Sequence, residues 1–305
     1  MVEQSEVAAS FTAVRLGGHQ GLMDVGPQST VGGLLRRGWL PFLPAGVLEE
    51  RQVLPVRLLG ESLVCYRDGR GKIGLLDEFC GHQSVSLKWG YPDDNGLRCA
   101  YHDWCYDEGG QCVEMPLGYG VVEDERITAY PVRQLGELLF AGLGSSLAPM
   151  PLVAPPPDLG LVAIHYSVTG RHWLRLLTEA PVDEYRQIEF LPWPHLERRG
   201  HGGTAVVDLI PIDVAHTLRI ERRYGLSSAV SSREAISPRY LSGDLASSDY
   251  WNAVDLAGAR GRAYPSEPPE CGCTPGTPAS SFHDLVAKVL GKVAAPVSNV
   301  TGNVS

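Results

Sequence analysis

The sequence has no long hydrophobic run and fewer basic than acidic residues. No stretch of its 305 residues reaches the roughly 18 uninterrupted apolar residues of a transmembrane helix, so we expect no membrane span. The start, MVEQSEVAAS, lacks the basic and apolar segments of a signal peptide, so we expect none. With 26 Lys and Arg against 35 Asp and Glu, the net charge is -9, which argues against nucleic acid as a partner.

Cysteines are also few, and their spacing does not suggest a disulfide framework. The chain has 7 of them, an odd number. They are Cys65, Cys80, Cys99, Cys105, Cys112, Cys271 and Cys273. In a chain of this length that pattern favours thiols and a metal site in a reducing compartment. We therefore expect a cytoplasmic protein.

The remaining sequence predicts two β-rich domains. Between residues 38 and 144, apolar alternation interrupted by Gly-rich turns predicts an antiparallel β domain. A Pro-rich stretch at 145–160 marks a boundary. After it, YRQIEFL, GTAVVDLI and TLRIERRY predict strands, and residues 280–293 predict an amphipathic helix. We predict an α+β protein with an irregular segment at 1–33, a β domain at 34–150, a second domain at 151–293 and a tail at 294–305.

Two short Cys and His pairs predict a metal site in the first domain. Cys80-x-His82 and Cys99-x2-His102 are separated by sixteen residues, and each pair suits the tip of a hairpin. Thiolate and imidazole together are ligands of zinc, iron or copper. A structural zinc site and a Rieske [2Fe-2S] cluster both use these residue types. We favour the cluster, in which two Cys bind one iron and two His bind the other.

Longer stretches resemble a known family. Residues from about 36 to 144 resemble the Rieske domain of phthalate dioxygenase-type Rieske non-heme iron oxygenases in RRGWLPFLP, RLLGESLVCYRDGRGKIGLLDEFCGH, GLRCAYHDWCYDEGGQCVEMP and RITAYPVRQLG. The resemblance implies a terminal oxygenase that takes electrons from a flavin and iron-sulfur reductase or a ferredoxin. It also implies O2-dependent oxidation of a small organic substrate, a helix-grip second domain, and a homo- or hetero-oligomer such as a trimer.

Within this resemblance the chain departs from the family near the ligands. The family usually has Pro, Arg and Gly where this chain has Gly81, Gln83 and Asp103. A carboxylate at 103 adds negative charge beside the cluster, so we expect it to lower the reduction potential. We interpret the nearby Cys105 and Cys112 as ordinary buried thiols rather than further ligands.

The second domain lacks a clear iron motif. The family holds a mononuclear Fe(II) by two His and one carboxylate, the first two from a helical pattern like Asp-x2-His-x4-His. Here Trp173 and Asp183 match that segment, but Arg186 stands where the first His should come, and no His follows at helical spacing. The resemblance therefore implies a shortened or degenerate catalytic domain, with the mononuclear ligands and catalytic residues unknown.

Another pair of histidines, His195 and His201, has a spacing that superficially suits iron. Prolines before it and glycines after it favour a strand that runs into a hairpin. Two functions stay open besides a zinc-stabilised binding module. One is a divergent terminal oxygenase. The other is an electron-transfer or accessory subunit that keeps the Rieske cluster but lacks the mononuclear iron.

Overall fold

The computed structural model consists mostly of antiparallel strands with few helices, as the sequence predicts. Among the residues that it describes, no helix is long and apolar enough to cross a membrane. The predicted C-terminal helix and tail lie outside those residues. For 185–188 and 195–200 only the backbone is described. The described residues are 24–116, 124–147, 150, 159–173, 175–176, 185–188, 195–200 and 203–225.

The helices of the described chain are short. Helix α1 (Thr30–Leu35) follows Ser29, whose Oγ accepts a hydrogen bond from the backbone N–H of Gly32 at 2.9 Å and so caps the helix. Helix α2 spans Val47–Glu50, and a 3₁₀ helix spans Leu87–Trp89.

Between residues 24 and 147, the part of the chain that the structure describes contains ten strands in three small antiparallel sheets. Their orders are β1-β10-β9, β2-β3-β4 and β5-β6-β7-β8. The strands are β1 (Trp39–Pro44), β2 (Val53–Leu58), β3 (Glu61–Arg67), β4 (Ile73–Asp77), β5 (Tyr91–Asp93), β6 (Gly96–Arg98), β7 (Cys105–Tyr106), β8 (Cys112–Glu114), β9 (Val132–Leu135) and β10 (Leu138–Gly142). The antiparallel β domain predicted from alternation is confirmed.

A fourth sheet contains the strands that follow the Pro-rich stretch. Its order is β11-β15-β14-β13-β12, and all neighbours are antiparallel. The strands are β11 (Gly160–Thr169), β12 (Tyr185–Ile188), β13 (His195–Gly200), β14 (Gly203–Pro211) and β15 (Thr217–Gly225). The expectation that the segment after Pro194 is a strand entering a hairpin is confirmed, because Gly200 pairs with Gly203.

Two hydrophobic cores stabilise these sheets. The larger one includes Leu40 and Phe42 of β1 together with Tyr166 of β11 and Ile220 of β15. The Tyr166 hydroxyl also donates a hydrogen bond to the Phe42 carbonyl at 2.8 Å. The fourth sheet therefore packs directly against β1. A division near residue 150 stays a prediction.

The turn between β2 and β3 makes a second contact with the fourth sheet. Leu59 (φ 49°) and Gly60 (φ 82°) both adopt left-handed backbone conformations, which are unfavourable for leucine. Their N–H groups donate to the carbonyls of Pro211 at 3.0 Å and Ile212 at 2.7 Å. The turn thus joins the N-terminal sheets to the β14–β15 connection.

Candidate metal centre

The first Cys and His pair lies in a loop closed by its own backbone. The N–H of Cys80 donates to the carbonyl of Val85 at 2.9 Å, and the N–H of Ser84 donates to the carbonyl of Cys80 at 2.9 Å. Ser84 has a left-handed backbone (φ 55°), which turns the chain back. His82 therefore stands near the tip of a fixed loop.

The second pair lies in a loop of the same design. The N–H of Cys99 donates to the carbonyl of Trp104 at 2.9 Å, and the N–H of Asp103 donates to the carbonyl of Cys99 at 3.0 Å. Asp103 is left-handed (φ 59°), at the position that corresponds to Ser84. The spacing from Cys to His is one residue longer here than in the first loop, yet equivalent backbone hydrogen bonds close both loops.

The two predicted histidines lie against each other. The ring centroids of His82 and His102 are 4.6 Å apart, in an edge-to-face arrangement of 62°. Two further aromatic side chains contact these histidines. The Trp104 ring stacks on the His82 ring, with 4.6 Å between centroids and 5° between planes, and the centroids of Tyr101 and His102 are 3.9 Å apart. These contacts fix the orientations of both imidazoles.

The two predicted cysteines also lie together, and neither is in a disulfide. Burial raises the pKa of the Cys80 thiol, and its side-chain contact with Cys99 acts in the same direction. The hydroxyl of Tyr106 and the N–H of His82 donate to the Cys80 sulfur and favour its thiolate. The structure thus brings the four residues together as two pairs, thiol with thiol and imidazole with imidazole.

One buried atom tests whether a metal group fits these residues. Nδ1 of His82 is buried and has no hydrogen-bond partner. An unsatisfied buried nitrogen costs about 1–3 kcal/mol. A neutral imidazole nitrogen is a good metal ligand, so coordination would satisfy this atom. The residues therefore fit a bound metal group.

The pairing favours a cluster over a single ion. Within the described part of the chain, no group of three or more His, Cys, Asp and Glu side chains is arranged to hold one metal ion. A structural zinc ion needs four ligands around one centre, whereas a Rieske cluster needs only two protein ligands on each iron. Two separate pairs match the second requirement.

Asp103, which stands where the family usually has Gly, has a left-handed backbone conformation. A left-handed backbone suits glycine, and aspartate tolerates it better than most residues. The Asp103 carboxylate accepts a hydrogen bond from the Tyr91 hydroxyl at 2.6 Å, and this bond raises the pKa of Tyr91. Tyr91, Tyr101 and Trp89 are all exposed. An exposed aromatic surface, formed by Tyr91 and Tyr101, therefore borders the second loop.

The additional cysteines of this region are buried thiols, as the sequence predicts. Burial raises the pKa of Cys105 to about 12 and that of Cys112 to about 11. The Cys105 thiol donates to Asp93 at 3.8 Å, and the Cys112 thiol donates to the carbonyl of Glu114 at 3.5 Å. Both therefore remain protonated at neutral pH, which does not suit a metal ligand.

The candidates for a mononuclear iron site are only partly described. Arg186 lies in β12, so this position is on a strand instead of the family's ligand helix. His195 begins β13, where its Cα pairs with that of Asp208. Asp183 and His201 lie outside the described residues. Trp173 is buried in the larger core.

Sequence reasoning missed two residues that complete the centre, Trp104 and Tyr106. Both follow the second pair at short, fixed distances along the chain, in the order Cys-x2-His-x-Trp-x-Tyr. The aromatic residues after His102 were the available signal. Their contact with the first loop depends on how the two loops face each other, which no local pattern reveals.

Comparison with known proteins agrees with this geometry. Residues 38–123 match the model of the Rieske [2Fe-2S] domain. The 5,5'-dehydrodivanillate O-demethylase oxygenase subunit of Sphingobium sp. is 43% identical over 168 residues, which cover 50% of this chain and 38% of that protein. The phthalate 4,5-dioxygenase oxygenase subunit of Pseudomonas putida is 34% identical over 167 residues, covering 52% and 38%. The chain thus matches about two fifths of the length of these relatives.

Solved structures show the same fold at low identity. NdmA of Pseudomonas putida CBB5 has a TM-score of 0.58 and 20% identity, with 83% of this chain and 89% of that chain covered. Dicamba monooxygenase has a TM-score of 0.56 and 16% identity, with 86% and 99% covered.

These findings define a Rieske domain in residues 38–123, and such a domain implies a [2Fe-2S] cluster. More particularly, the chain is homologous to the oxygenase subunits of phthalate dioxygenase-type and other Rieske oxygenases, so the resemblance predicted from its motifs is confirmed.

Proposed function

We propose that this chain is a divergent terminal oxygenase component whose [2Fe-2S] cluster is held by Cys80, Cys99, His82 and His102. The observation that carries the assignment is the pairing of two buried thiols and of two imidazoles, one of which has a buried Nδ1 without a hydrogen-bond partner. In this assignment the cysteines bind one iron and the histidines bind the other.

When bound, the cluster would supply electrons one at a time. The protein's own residues would set how it does so. Trp104 holds the His82 ring by stacking, and the two backbone-closed loops hold the cysteines. Tyr106 donates to the Cys80 sulfur. The histidine side carries the exposed aromatic surface, where an electron donor can approach.

The names of the relatives suggest the kind of partner and substrate. These names include a demethylase, dioxygenases and a monooxygenase. We propose a reductase or a ferredoxin as the electron donor, a small organic compound as the substrate, and an oligomer for the whole assembly. The cytoplasm remains the proposed compartment, because all the described cysteines are free thiols.

One observation favours the alternative of an electron-transfer or accessory subunit. Residues 185–188 form a strand, at the point where the family places its iron helix. A chain with a strand at this point could still pass electrons to a complete partner. The two functions differ in one measurable quantity, the number of irons bound by each chain.

The test is the iron and acid-labile sulfide content of the anaerobically purified full chain, with EPR of the reduced protein. Two sulfides and a Rieske spectrum are expected in either case. A third iron, taken up as Fe(II) and needed for O2 consumption, supports the oxygenase, and His195 and His201 would then be the first residues to replace. Two irons without further uptake would refute it in favour of the accessory subunit. One zinc without sulfide would refute both.

A further inference from the structure

Arg98 joins several parts of the Rieske domain from one position. It ends strand β6 and directly precedes Cys99, a proposed cluster ligand. Its Nε donates a hydrogen bond to Asp93, at the end of β5, and its Nη2 donates to Glu114, at the end of β8. Its Nη1 donates to the backbone carbonyl of Asp103 at 3.2 Å. The three nitrogens of one guanidinium group thus have three different partners, an arrangement of Arg98, Asp93, Glu114 and the Asp103 carbonyl that we call the Arg98 clamp.

The carboxylate anchors hold the guanidinium group in one orientation. Oδ1 of Asp93 accepts hydrogen bonds from the N–H groups of Asn95 at 2.7 Å and Gly96 at 3.1 Å, and its Oδ2 accepts from Arg98. The Arg98 side chain is only 14% exposed. Hydrogen bonds between charged groups are stronger than neutral ones, and the planar fork of donors in arginine restricts the geometry of its partners. The guanidinium group is therefore fixed beside the second ligand loop.

The backbone that the clamp holds is attached directly to a proposed ligand. Asp103 follows His102 in the chain, and its left-handed conformation (φ 59°) turns the loop. Its N–H donates to the carbonyl of Cys99 at 3.0 Å, which closes the loop from inside. Its own carbonyl accepts from Arg98, outside that closure. Both polar groups of this residue are thus held, and a rotation of its backbone would carry the His102 ring with it.

The first ligand loop lacks an equivalent side chain before its cysteine. The residue that precedes Cys80 is Phe79, whose side chain has no hydrogen-bonding group. The two loops share their backbone closure, but the second has one more residue between Cys and His. Each additional residue adds backbone freedom that must be restrained. The additional hydrogen bond from Arg98 therefore acts on the longer of the two loops.

We propose that the Arg98 clamp positions the cluster ligand His102, by holding the backbone at Asp103 in the conformation that fixes the orientation of the imidazole. Groups that hydrogen-bond around a metal site orient its ligands and tune the metal. Arg98 acts through the loop backbone, so it is a positioning residue and not a ligand. The inference rests on the proposed function, because it takes His102 as a ligand of the cluster.

The test uses the full, cluster-loaded chain and two measurements. One is the rate at which EDTA removes the cluster, followed by visible absorption, and the other is the EPR spectrum of the reduced protein. Arg98→Gln removes both the charge and the fork of donors, whereas Arg98→Lys keeps the charge without the planar fork. Loss of a partner around a metal ligand typically lowers metal affinity about 10–100-fold, so Arg98→Gln should lose its cluster about tenfold faster than wild type. Its EPR lines should broaden, because a less restrained imidazole adopts several orientations, and Arg98→Lys should be intermediate in both measurements.

Two further variants complete the comparison. Arg126→Gln is the matched control, since Arg126 is exposed and donates to Gln111 instead of the second ligand loop. It should behave as wild type does. Glu114→Ala keeps Arg98 in place and removes one of its anchors. Because the Glu114 side chain is 46% exposed, we expect this variant to fold, and it too should lose the cluster faster than wild type.

Three results would overturn the proposal. The first is an Arg98→Gln chain with the wild-type rate of cluster loss and wild-type EPR line widths. The second is an Arg98→Lys chain that equals wild type while Arg98→Gln does not, which would assign the effect to charge alone. If Arg98→Gln does not fold, Glu114→Ala decides, and wild-type behaviour of that variant is the third.

The clamp and the proposed function fail in different ways. A wild-type chain without a Rieske spectrum would refute the ligand assignment and the clamp together. A normal wild-type spectrum with unaffected Arg98 variants would refute the clamp alone.

Discussion

The hydroxyl of Tyr106 gives a sharp prediction about the cluster. It lies 3.4 Å from the Cys80 sulfur and accepts a hydrogen bond from the N–H of Gly81 at 3.1 Å. A coordinated thiolate has no proton, so the tyrosine must be the donor to sulfur. A proline at position 81, as the family usually has, could not donate to Tyr106. Replacing Tyr106 by Phe removes the hydrogen bond to sulfur and leaves the ring in place.

The expected effect is a lower reduction potential. The reduced cluster carries one more negative charge, so its sulfur accepts the hydrogen bond more strongly than in the oxidised state. A hydrogen bond to a charged group contributes about 1.5–3 kcal/mol, and we assign roughly 1 kcal/mol of it to the difference between the states. For a one-electron couple, about 59 mV corresponds to a tenfold change, so Tyr106→Phe should lower the midpoint by about 40 mV.

The assay is a redox titration followed by EPR at fixed pH. Tyr66→Phe is the matched control, because the Tyr66 hydroxyl donates to the Tyr106 carbonyl at 3.2 Å and not to sulfur. We expect its midpoint to stay much closer to wild type. If Tyr106→Phe keeps a full Rieske spectrum and the wild-type midpoint, the reasoning is refuted.

Three further predictions concern the candidate ligands, the second loop and the ion pairs of Glu221 with Arg219 and Arg223. Cys80→Ser should abolish the Rieske EPR signal, whereas Cys105→Ser should keep it; a brown Cys80→Ser protein with that signal would refute the ligand assignment. Asp103→Gly should raise the midpoint, on the order of 20 mV for an exposed charge, and Asp103→Asn should do the same; an unchanged Asp103→Gly midpoint would contradict this. Glu221 has a lowered pKa, so its stabilisation is present above the unfolded value of about 4.3 and is lost as pH falls below it. In urea unfolding, the stability gap between wild type and Glu221→Gln should therefore be smaller at pH 4 than at pH 7, and a gap independent of pH would count against the ion pairs.

The four candidate ligands could be proposed from the sequence because their chemistry is local. Cys80 and His82 lie in one turn and Cys99 and His102 in another, so spacing and residue type suggest the site. What spacing could not predict is the contact between the turns. The stacking of Trp104 on His82 joins residues from different loops, and it follows from how the sheets pack.

In the fourth sheet, too, the sequence predicted the strands but not the packing between distant residues. Alternation predicted β12, β14 and β15. It could not show which face of this sheet packs against β1, since that depends on distant residues such as Phe42.

The contacts between β1, the Leu59–Gly60 turn and the fourth sheet have a kinetic consequence. Redox domains that swing between partners need a hinge crossed by few contacts. Here Tyr166 reaches the Phe42 carbonyl, and the turn donates both N–H groups to the β14–β15 connection. The part of the chain that carries the candidate cluster ligands is thus joined to the fourth sheet. We therefore expect the proposed electron donor to act by encounter, with a rate that rises with donor concentration and saturates when docking is complete.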